Sequence, residues 1–212
     1  MNKQDYWNEI YARREEVSSL LSVYWHRYSH VGTWQFWIAV AMLAIPLIVL
    51  YFALDRKKIW EVLFFGYTIH MLWTYADTIL ELHNYFVHTY MLAPFLPFGI
   101  SSTASFLPVS FLLVYQYCIN HNKNFYLYAL LMSCLFAFGF AVLSKMIGIL
   151  HVRKGMNQFH LLLIDVAVAY CSYWLTKLVM AMKDGKGSPG SRFIVVKKLN
   201  FNKYRIYSKA KS

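Results

Sequence analysis

Three long blocks of the chain contain no acidic or basic residue, and they constrain the fold more than any other feature. They are residues 31–54, 89–120 and 124–144. An α-helix rises about 1.5 Å per residue, so each block is long enough to cross about 30 Å of hydrocarbon. Hydrophobic residues make up 58% of the chain and charged residues 15%, which leaves too little polar surface for a soluble domain of 212 residues. The pattern predicts a membrane protein.

Two weaker apolar blocks, residues 62–82 and 158–182, bring the expected number of spans to five. Polar residues interrupt them: His70, Asp77 and Glu81 in the first, and His160, Asp165 and Lys177 in the second. Because a backbone in lipid must satisfy its own hydrogen bonds, and because no run alternates like a barrel strand, we expect helices. The predicted fold class is all-α, an integral membrane bundle of five transmembrane helices over residues 33–182.

Ahead of the first span, residues 1–32 carry apolar and aromatic side chains at three- and four-residue intervals. They are Trp7, Ile10, Tyr11, Val17, Leu20, Leu21, Tyr24, Trp25 and Tyr28. Charged residues occupy much of the other face, as in an amphipathic helix. Aromatic rings with polar tips settle in the headgroup layer, so we expect an interfacial helix lying on the membrane. A helix packed on a protein partner is the alternative.

The block at residues 89–120 is too long for one upright helix, and its first part contains Pro94, Pro97 and Gly99. Prolines there disfavour a regular helix. We expect a partly buried loop or re-entrant segment that breaks near Ser101 and Ser102. A hydroxyl group would then cap a span that begins at about residue 103, and Pro108 would kink it.

The C-terminal segment, residues 183–212, is a basic tail with nine Lys or Arg residues and one acid. Such a tail attracts anionic lipid by about 1 kcal/mol per basic residue near the surface; a solvated tail that only sets the topology is the alternative, and nucleic acid is not an expected partner. If five spans alternate, thirteen basic residues lie on one side and seven on the other. This count predicts that the N-terminus lies outside and the C-terminus in the cytoplasm.

A polar stripe runs along the second predicted span. His70, Thr74, Asp77 and Glu81 follow the spacing i, i+4, i+7 and i+11, which places them on one helix face. A charged group facing lipid costs about 2.5–3.5 kcal/mol near the bilayer centre, so the stripe should face the bundle interior or a wet cavity. Alternation of the spans brings Asp165 to the same side of the membrane. These five residues are the candidate ion site.

Several histidines are expected on that side as well: His83, His88, His151 and His160. Imidazole and carboxylate groups bind divalent ions, but their spacing here matches no known motif, so whether a metal binds is left open. A proton or substrate relay is a second interpretation. The third is structural pairing, for example of Asp165 with Lys145, and of His70 with a neighbouring helix.

Signatures of catalysis are absent from the sequence. It has no nucleophile motif of the GxSxG type and no glycine-rich phosphate loop. The three cysteines fall inside predicted spans without metal-binding spacing. We therefore expect no enzyme activity, no catalytic residues and no cofactor. The expected partners are the lipid bilayer and either another protein or further copies of the chain.

Four stretches of the sequence carry a resemblance to known proteins: residues 61–80 (EVLFFGYTIHMLWTYADTIL), 90–118 (YMLAPFLPFGISSTASFLPVSFLLVYQYC), 122–128 (NKNFYLY) and 153–159 (RKGMNQF). Together they resemble an uncharacterised family of small multi-pass membrane proteins from endospore-forming Gram-positive bacteria. The resemblance implies a plasma-membrane location and brings no catalytic residues. Relatives carry an acidic residue before the Ser-x-Leu-Pro element, whereas SSTASFLP has none, so an ion site there is not carried over.

Two functional hypotheses follow from these observations. The first is a non-enzymatic envelope or spore-related accessory protein that acts through partners. The second is a small carrier or sensor for protons or divalent metal ions that uses the polar stripe. A hydrated cavity beside the stripe favours the second hypothesis, and paired polar groups without a cavity favour the first.

Overall fold

The computed structural model of the protein describes residues 2–183, and the basic tail beyond residue 183 lies outside this range. Across residues 2–183 the chain forms six long helices and a two-stranded ribbon. The helices are α1 Lys3–Tyr24, α2 Trp34–Ala53, α3 Ile59–Leu82, α4 Ser102–Asn120, α5 Phe125–Met146 and α6 Gln158–Lys183. The strands are β1 Phe86–His88 and β2 Leu150–Val152.

Four of these helices, within the described part of the chain, are long and apolar enough to cross a membrane. They are α2, α4, α5 and α6. Their length and composition indicate a multi-pass membrane protein. The helix α3, which carries the polar stripe, is not among the four. The expected N-terminal helix is present as α1 and is almost wholly exposed, while its location on the membrane surface stays a prediction.

The ribbon corrects the expectation of an all-α fold to a mostly helical one. Strands β1 and β2 are antiparallel, with Phe86 opposite Val152 and His88 opposite Leu150. The strands belong to the loops that follow α3 and α5, so their pairing joins two distant parts of the chain. Strands of three residues carry too few side chains to show a hydropathy pattern, which is why the sequence analysis missed them.

Helices α2 to α6 alternate in direction between the ribbon end of the bundle and the opposite end, which we call the basic end. At the basic end the turn after α2 meets the end of α4, where the Asp55 N–H donates to Gln116 Oε1 at 2.8 Å. At the ribbon end Gln35, near the start of α2, donates from Nε2 to the Tyr90 hydroxyl at 3.2 Å. The helix α3 therefore runs from the basic end to the ribbon end.

The core lies around α3, which packs against α4 and α6. The rings of Phe65 and Tyr115 stack with their centroids 4.3 Å apart, and both side chains are fully buried. At Gly66, α3 approaches α4 so closely that an added Cβ atom would lie 2.4 Å from Leu112 Cδ1. Small and flat side chains thus bring α3 and α4 into direct contact.

The helix α4 begins at Ser102, within one residue of the expected position. The predicted hydroxyl cap is wrong, because the Ser101 side chain makes no capping hydrogen bond. Instead, the backbone N–H groups of Ser102 and Thr103 donate to the Gly99 carbonyl at 2.9 Å. The first turn is a wide π-helical turn, in which the Leu107 N–H donates to the Ser102 carbonyl five residues back.

Candidate functional site

A buried carboxylate–imidazole pair lies at the ribbon end of the bundle. Asp77 comes from the polar stripe of α3, and His88 comes from β1. Asp77 Oδ1 and His88 Nε2 are 3.1 Å apart, and both residues are buried. The turn after α3 reverses the chain and brings His88 back beside Asp77. A buried charge is tolerated when it has such a hydrogen-bonded partner.

Gly99 covers this pair from the loop that precedes α4. A Cβ atom at this position would lie 2.2 Å from Asp77 Oδ2 and 2.6 Å from His88 Nε2. At these distances a side chain would force the Asp77 carboxylate, the His88 ring or the loop to move, so glycine allows the backbone to lie against the pair. From the sequence, Gly99 is expected to interrupt a helix. In the structure it also allows the backbone to approach the Asp77–His88 pair.

A small cavity of about 50 Å³ lies beside the pair, between α3, α4, α5 and α6. Its polar lining includes Asp77, His88 and Asp165, and most of the remaining lining is apolar. Asp165 Oδ1 accepts a hydrogen bond from Trp73 Nε1 at 3.1 Å. The predicted pairing of Asp165 with Lys145 is wrong, because Lys145 is exposed and Asp165 accepts a hydrogen bond from the Trp73 indole instead.

The other members of the polar stripe have separate surroundings. His70 Nδ1 lies 2.8 Å from the Thr103 carbonyl of α4 and 3.4 Å from the Thr74 hydroxyl. A carbonyl only accepts, so Nδ1 carries the hydrogen in this contact. His70 thus makes a hydrogen bond to a neighbouring helix, which is the contact that the structural-pairing interpretation expects. Glu81 lies one turn beyond Asp77 and is half-buried.

Pro108 explains why the Thr103 carbonyl is available to His70. In the wide turn that opens α4, the Leu107 N–H reaches the Ser102 carbonyl five residues back. The next bond in this register would run from residue 108 to Thr103, and proline has no N–H. His70 donates to this carbonyl instead. Pro108 thus leaves a backbone acceptor for a side-chain donor, while the predicted kink at this residue stays a prediction.

The site thus combines two of the five candidate residues with one that lay outside the candidate set. Asp77 and Asp165 line the cavity, whereas His70 donates to the Thr103 carbonyl and lies 3.4 Å from the Thr74 hydroxyl. His88 was expected only on the same side of the membrane. No local signal distinguished it from His83 or His151, because its partner is set by the path of the turn after α3.

Metal binding is not supported by this arrangement. Among residues 2–183, no group of three or more His, Cys, Asp or Glu side chains converges in a way that holds a metal ion. Structural and catalytic zinc sites take at least three protein ligands. A cavity of about 50 Å³ has room for only a few water molecules. The chemistry available here is hydrogen bonding and proton exchange with water.

A second charge pair, partly exposed, lies at the basic end. Lys177 Nζ is 3.0 Å from Glu61 Oε1, and the Tyr115 hydroxyl donates to the same oxygen at 2.5 Å. The Lys177 ammonium also lies 5.5 Å from the ring centroid of Tyr115 and 5.6 Å from that of Tyr173. Distances of this size allow a cation–π attraction. These contacts stabilise Lys177, which interrupted the last apolar block, at a partly exposed position on α6.

Comparison with known proteins does not assign the chain to a family. No protein-family model, no curated protein and no solved structure matches the chain.

Proposed function

We propose that the chain crosses the membrane five times, with α3 as the additional span beside the four apolar helices. The support is geometric. The helix α2 ends at the basic end, and α4 starts at the ribbon end, so the segment between them must cross the same thickness. The helix α3 has 24 residues, a length of about 36 Å at the usual rise. His70 and Asp77 of this helix face α4 and β1 rather than lipid, which lowers the cost of placing these polar groups in a membrane-spanning helix.

The proposed location is the plasma membrane, with the basic end in the cytoplasm and the N-terminus outside. Three basic residues follow one another at this end, Arg56, Lys57 and Lys58, and Lys123 lies in the neighbouring loop. Positive charge in short loops favours the cytoplasmic side. The basic tail follows α6 at the same end and adds to this bias.

The proposed role is that of a non-enzymatic accessory protein of the cell envelope that acts through partners. One observation carries this proposal: Asp77, His88 and Asp165 are hydrogen-bonded to protein groups, and the cavity that they line has room for a few water molecules at most. A substrate would need a larger space, since ligand sites typically enclose about 300–1,000 Å³. The exposed helix α1, with Trp7, Tyr11 and Leu20 on its surface, offers a contact area outside the bundle.

The number of crossings is tested by labelling single cysteines from one side of the membrane. The two positions are Lys57→Cys and Lys154→Cys, in a chain whose three native cysteines are replaced by alanine. With five crossings, a membrane-impermeant maleimide added outside intact cells labels Lys154→Cys only. If α3 does not cross, residues 57 and 154 lie on the same side and react alike, which would refute the five-span topology.

The accessory role is tested by photo-crosslinking in living cells. A photoreactive amino acid replaces Leu20 on α1, and Phe52 on the lipid-facing surface of α2 serves as the matched control. We expect an adduct with one defined protein at position 20 and lipid adducts at position 52. Lipid adducts alone at both positions would leave α1 as a membrane-surface helix and contradict the partner role.

A second candidate function, sensing or carrying protons, is favoured by the two carboxylates and the imidazole around one cavity. Its test is proton flux into proteoliposomes that hold a pH-sensitive dye. A carrier loses its flux in Asp77→Asn and keeps it in Glu61→Gln at the other end of the bundle. Equal flux in protein-free vesicles and in vesicles with the wild-type protein rejects transport.

A further inference from the structure

The basic end of the bundle carries an excess of cations at the level where the helices end. Six basic residues of the described chain lie there: Arg56, Lys57, Lys58, Lys123, Lys177 and Lys183. Its two acids, Asp55 and Glu61, are engaged by internal donors. The carboxylate of Asp55 accepts from the Lys57 N–H at 2.9 Å and from Asn120 Nδ2 at 3.1 Å. This end therefore presents net positive charge to its surroundings.

A groove of about 320 Å³ opens between the α4–α5 loop and α6 at this end. Lys123 and Asn122 form one wall, and Lys177 with Tyr173 forms the other. Apolar atoms of Ile119 and Phe125 also line it. Two cations from different elements thus face one groove that has both polar and apolar lining.

The contacts of the Lys177 ammonium group restrict the movement of this side chain at the groove. Its ammonium contacts Glu61, and its position over the Tyr115 and Tyr173 rings restricts the side chain further. A cation whose position is already restricted loses less conformational entropy when an anion binds. The opposite wall is different, because Lys123 is exposed and belongs to a loop.

Aromatic residues beside the groove indicate its depth in the membrane. Trp174 Nε1 donates to the Tyr126 hydroxyl at 2.9 Å, and both side chains are exposed on the outer surface of α5 and α6. Exposed Trp and Tyr residues on membrane helices concentrate at the headgroup layer. Tyr126 and Trp174 directly follow Phe125 and Tyr173 of the groove, so the groove lies in that layer.

We propose that this groove binds the phosphate group of an anionic phospholipid. Lys123 and Lys177 supply the positive charge, and the apolar side chains next to them suit the glycerol and the first methylene groups of the lipid. Basic sites between helices on the cytoplasmic side are suited to such headgroups. The site is separate from the basic tail, and it depends only on insertion of the chain into a membrane, not on the accessory role.

The first test measures lysine acetylation of the full-length protein in nanodiscs. We expect acetylation of Lys123 to slow several-fold when phosphatidylglycerol is added to phosphatidylcholine. Lys145, an exposed lysine at the ribbon end, serves as the control for general surface effects. Equal slowing at both lysines would overturn the proposal. Slowing of Lys123 by inorganic phosphate in pure phosphatidylcholine would identify a site for the free anion and overturn the lipid assignment.

The second test uses variants that keep the fold. Phosphatidylglycerol should raise the thermal unfolding midpoint of the wild type and of Lys145→Gln by the same amount, and that of Lys123→Gln by about half as much or less. At about 1 kcal/mol per basic residue, the loss of Lys123 weakens lipid binding about 5-fold. Lys177→Arg keeps the charge and should keep most of the shift. An undiminished shift in Lys123→Gln would refute the site.

Discussion

Asp77 and His88 show how two residues of quite different sequence context form one pair. Asp77 belongs to a long helix, and His88 belongs to a strand of three residues. Their contact depends on the turn between them and on the close approach of Gly99. The pair also holds β1 against α3, because His88 lies on the strand itself.

We predict that Gly99→Ala destabilises the protein by about 1–3 kcal/mol, the usual cost of inserting atoms into a packed site. The new Cβ atom would lie 2.2 Å from Asp77 Oδ2, so the carboxylate or the loop must move. The thermal unfolding midpoint in detergent measures the effect. Gly139→Ala is the matched control, because its Cβ atom would meet Leu135 Cδ1 at 3.4 Å, an ordinary contact. An equal effect of the two substitutions would contradict the proposed role of Gly99.

Asp55, in the turn between α2 and α3, gives a prediction of how the stability of the fold depends on pH. Hydrogen bonds from the Lys57 N–H and the Asn120 side chain lower the pKa of its carboxyl group below its ordinary value. A lowered pKa in the folded state stabilises the fold above the unfolded pKa of about 3.9, and this stabilisation is lost as the pH falls through the folded pKa. The unfolding midpoint of Asp55→Asn should therefore fall less than that of the wild type on acidification.

The control for this measurement is Glu9→Gln, which removes an exposed carboxylate of α1. This variant should keep the acid sensitivity of the wild type. If Asp55→Asn shows the same loss of midpoint between neutral pH and about pH 3, Asp55 does not contribute to the acid response.

Among the elements, α4 and α5 share an unusual feature where they line the cavity. Each contains a π-helical segment, Ser102–Phe106 in α4 and Leu135–Phe140 in α5. The rings of Phe106 and Phe136, one from each segment, have their centroids 5.3 Å apart. Wide turns of this kind occur often at functional sites, because they re-aim side chains and release backbone groups. Here they shape the wall opposite Asp77.

The contact between α3 and α4 is tested by a double-mutant cycle at Gly66 and Leu112. Gly66→Ala alone should cost about 1–3 kcal/mol, because its Cβ atom would collide with Leu112 Cδ1. Leu112→Ala alone should cost about 2–5 kcal/mol through the cavity that it leaves. Together they should cost less than the sum, by about 0.5–3 kcal/mol, since the new methyl group fills part of that cavity. Additive free energies of unfolding would show that the two helices do not meet there.

At the scale of the whole molecule, the ribbon connects the loop after α3 to the loop after α5. It thereby joins the two halves of the bundle at the end where the Asp77–His88 pair and the cavity lie. The Arg153 N–H donates to the Tyr85 carbonyl at 2.9 Å and extends the contact by one residue. The closure of the cavity therefore depends on segments more than sixty residues apart in the chain.

An engineered disulfide tests the ribbon. Val87 lies directly opposite His151, and directly opposed residues have Cα atoms about 4.5–5.5 Å apart, within the range for a disulfide. Val87→Cys with His151→Cys, in the chain lacking native cysteines, should form the bond on mild oxidation and stabilise the protein by up to about 4 kcal/mol. Mobility on non-reducing gels and the unfolding midpoint report the outcome.

The control pair is Val87→Cys with Val152→Cys, in which one residue is shifted along β2. A shift of one residue places the second side chain on the other face of the ribbon, so this pair should not crosslink. Efficient crosslinking of the shifted pair alone would show that the register of β1 and β2 is different.

The sequence alone determined the class of this protein and the approximate extent of its helices. The apolar blocks at residues 31–54 and 124–144 correspond to Trp34–Ala53 and Phe125–Met146, and the loop with Pro94 and Pro97 is not helical. These features depend on local composition and on local backbone geometry. Each can be recognised within a window of about one helix length.

Only the tertiary structure decided which polar groups meet. Asp165 bonds to Trp73 across 92 residues, and the ribbon pairs Phe86 with Val152. Such contacts depend on the rotation of each helix about its axis and on the path of the loops, and hydropathy contains neither. A periodic pattern shows that a helix has a polar face, but the neighbour of that face is set by the packing of the whole bundle.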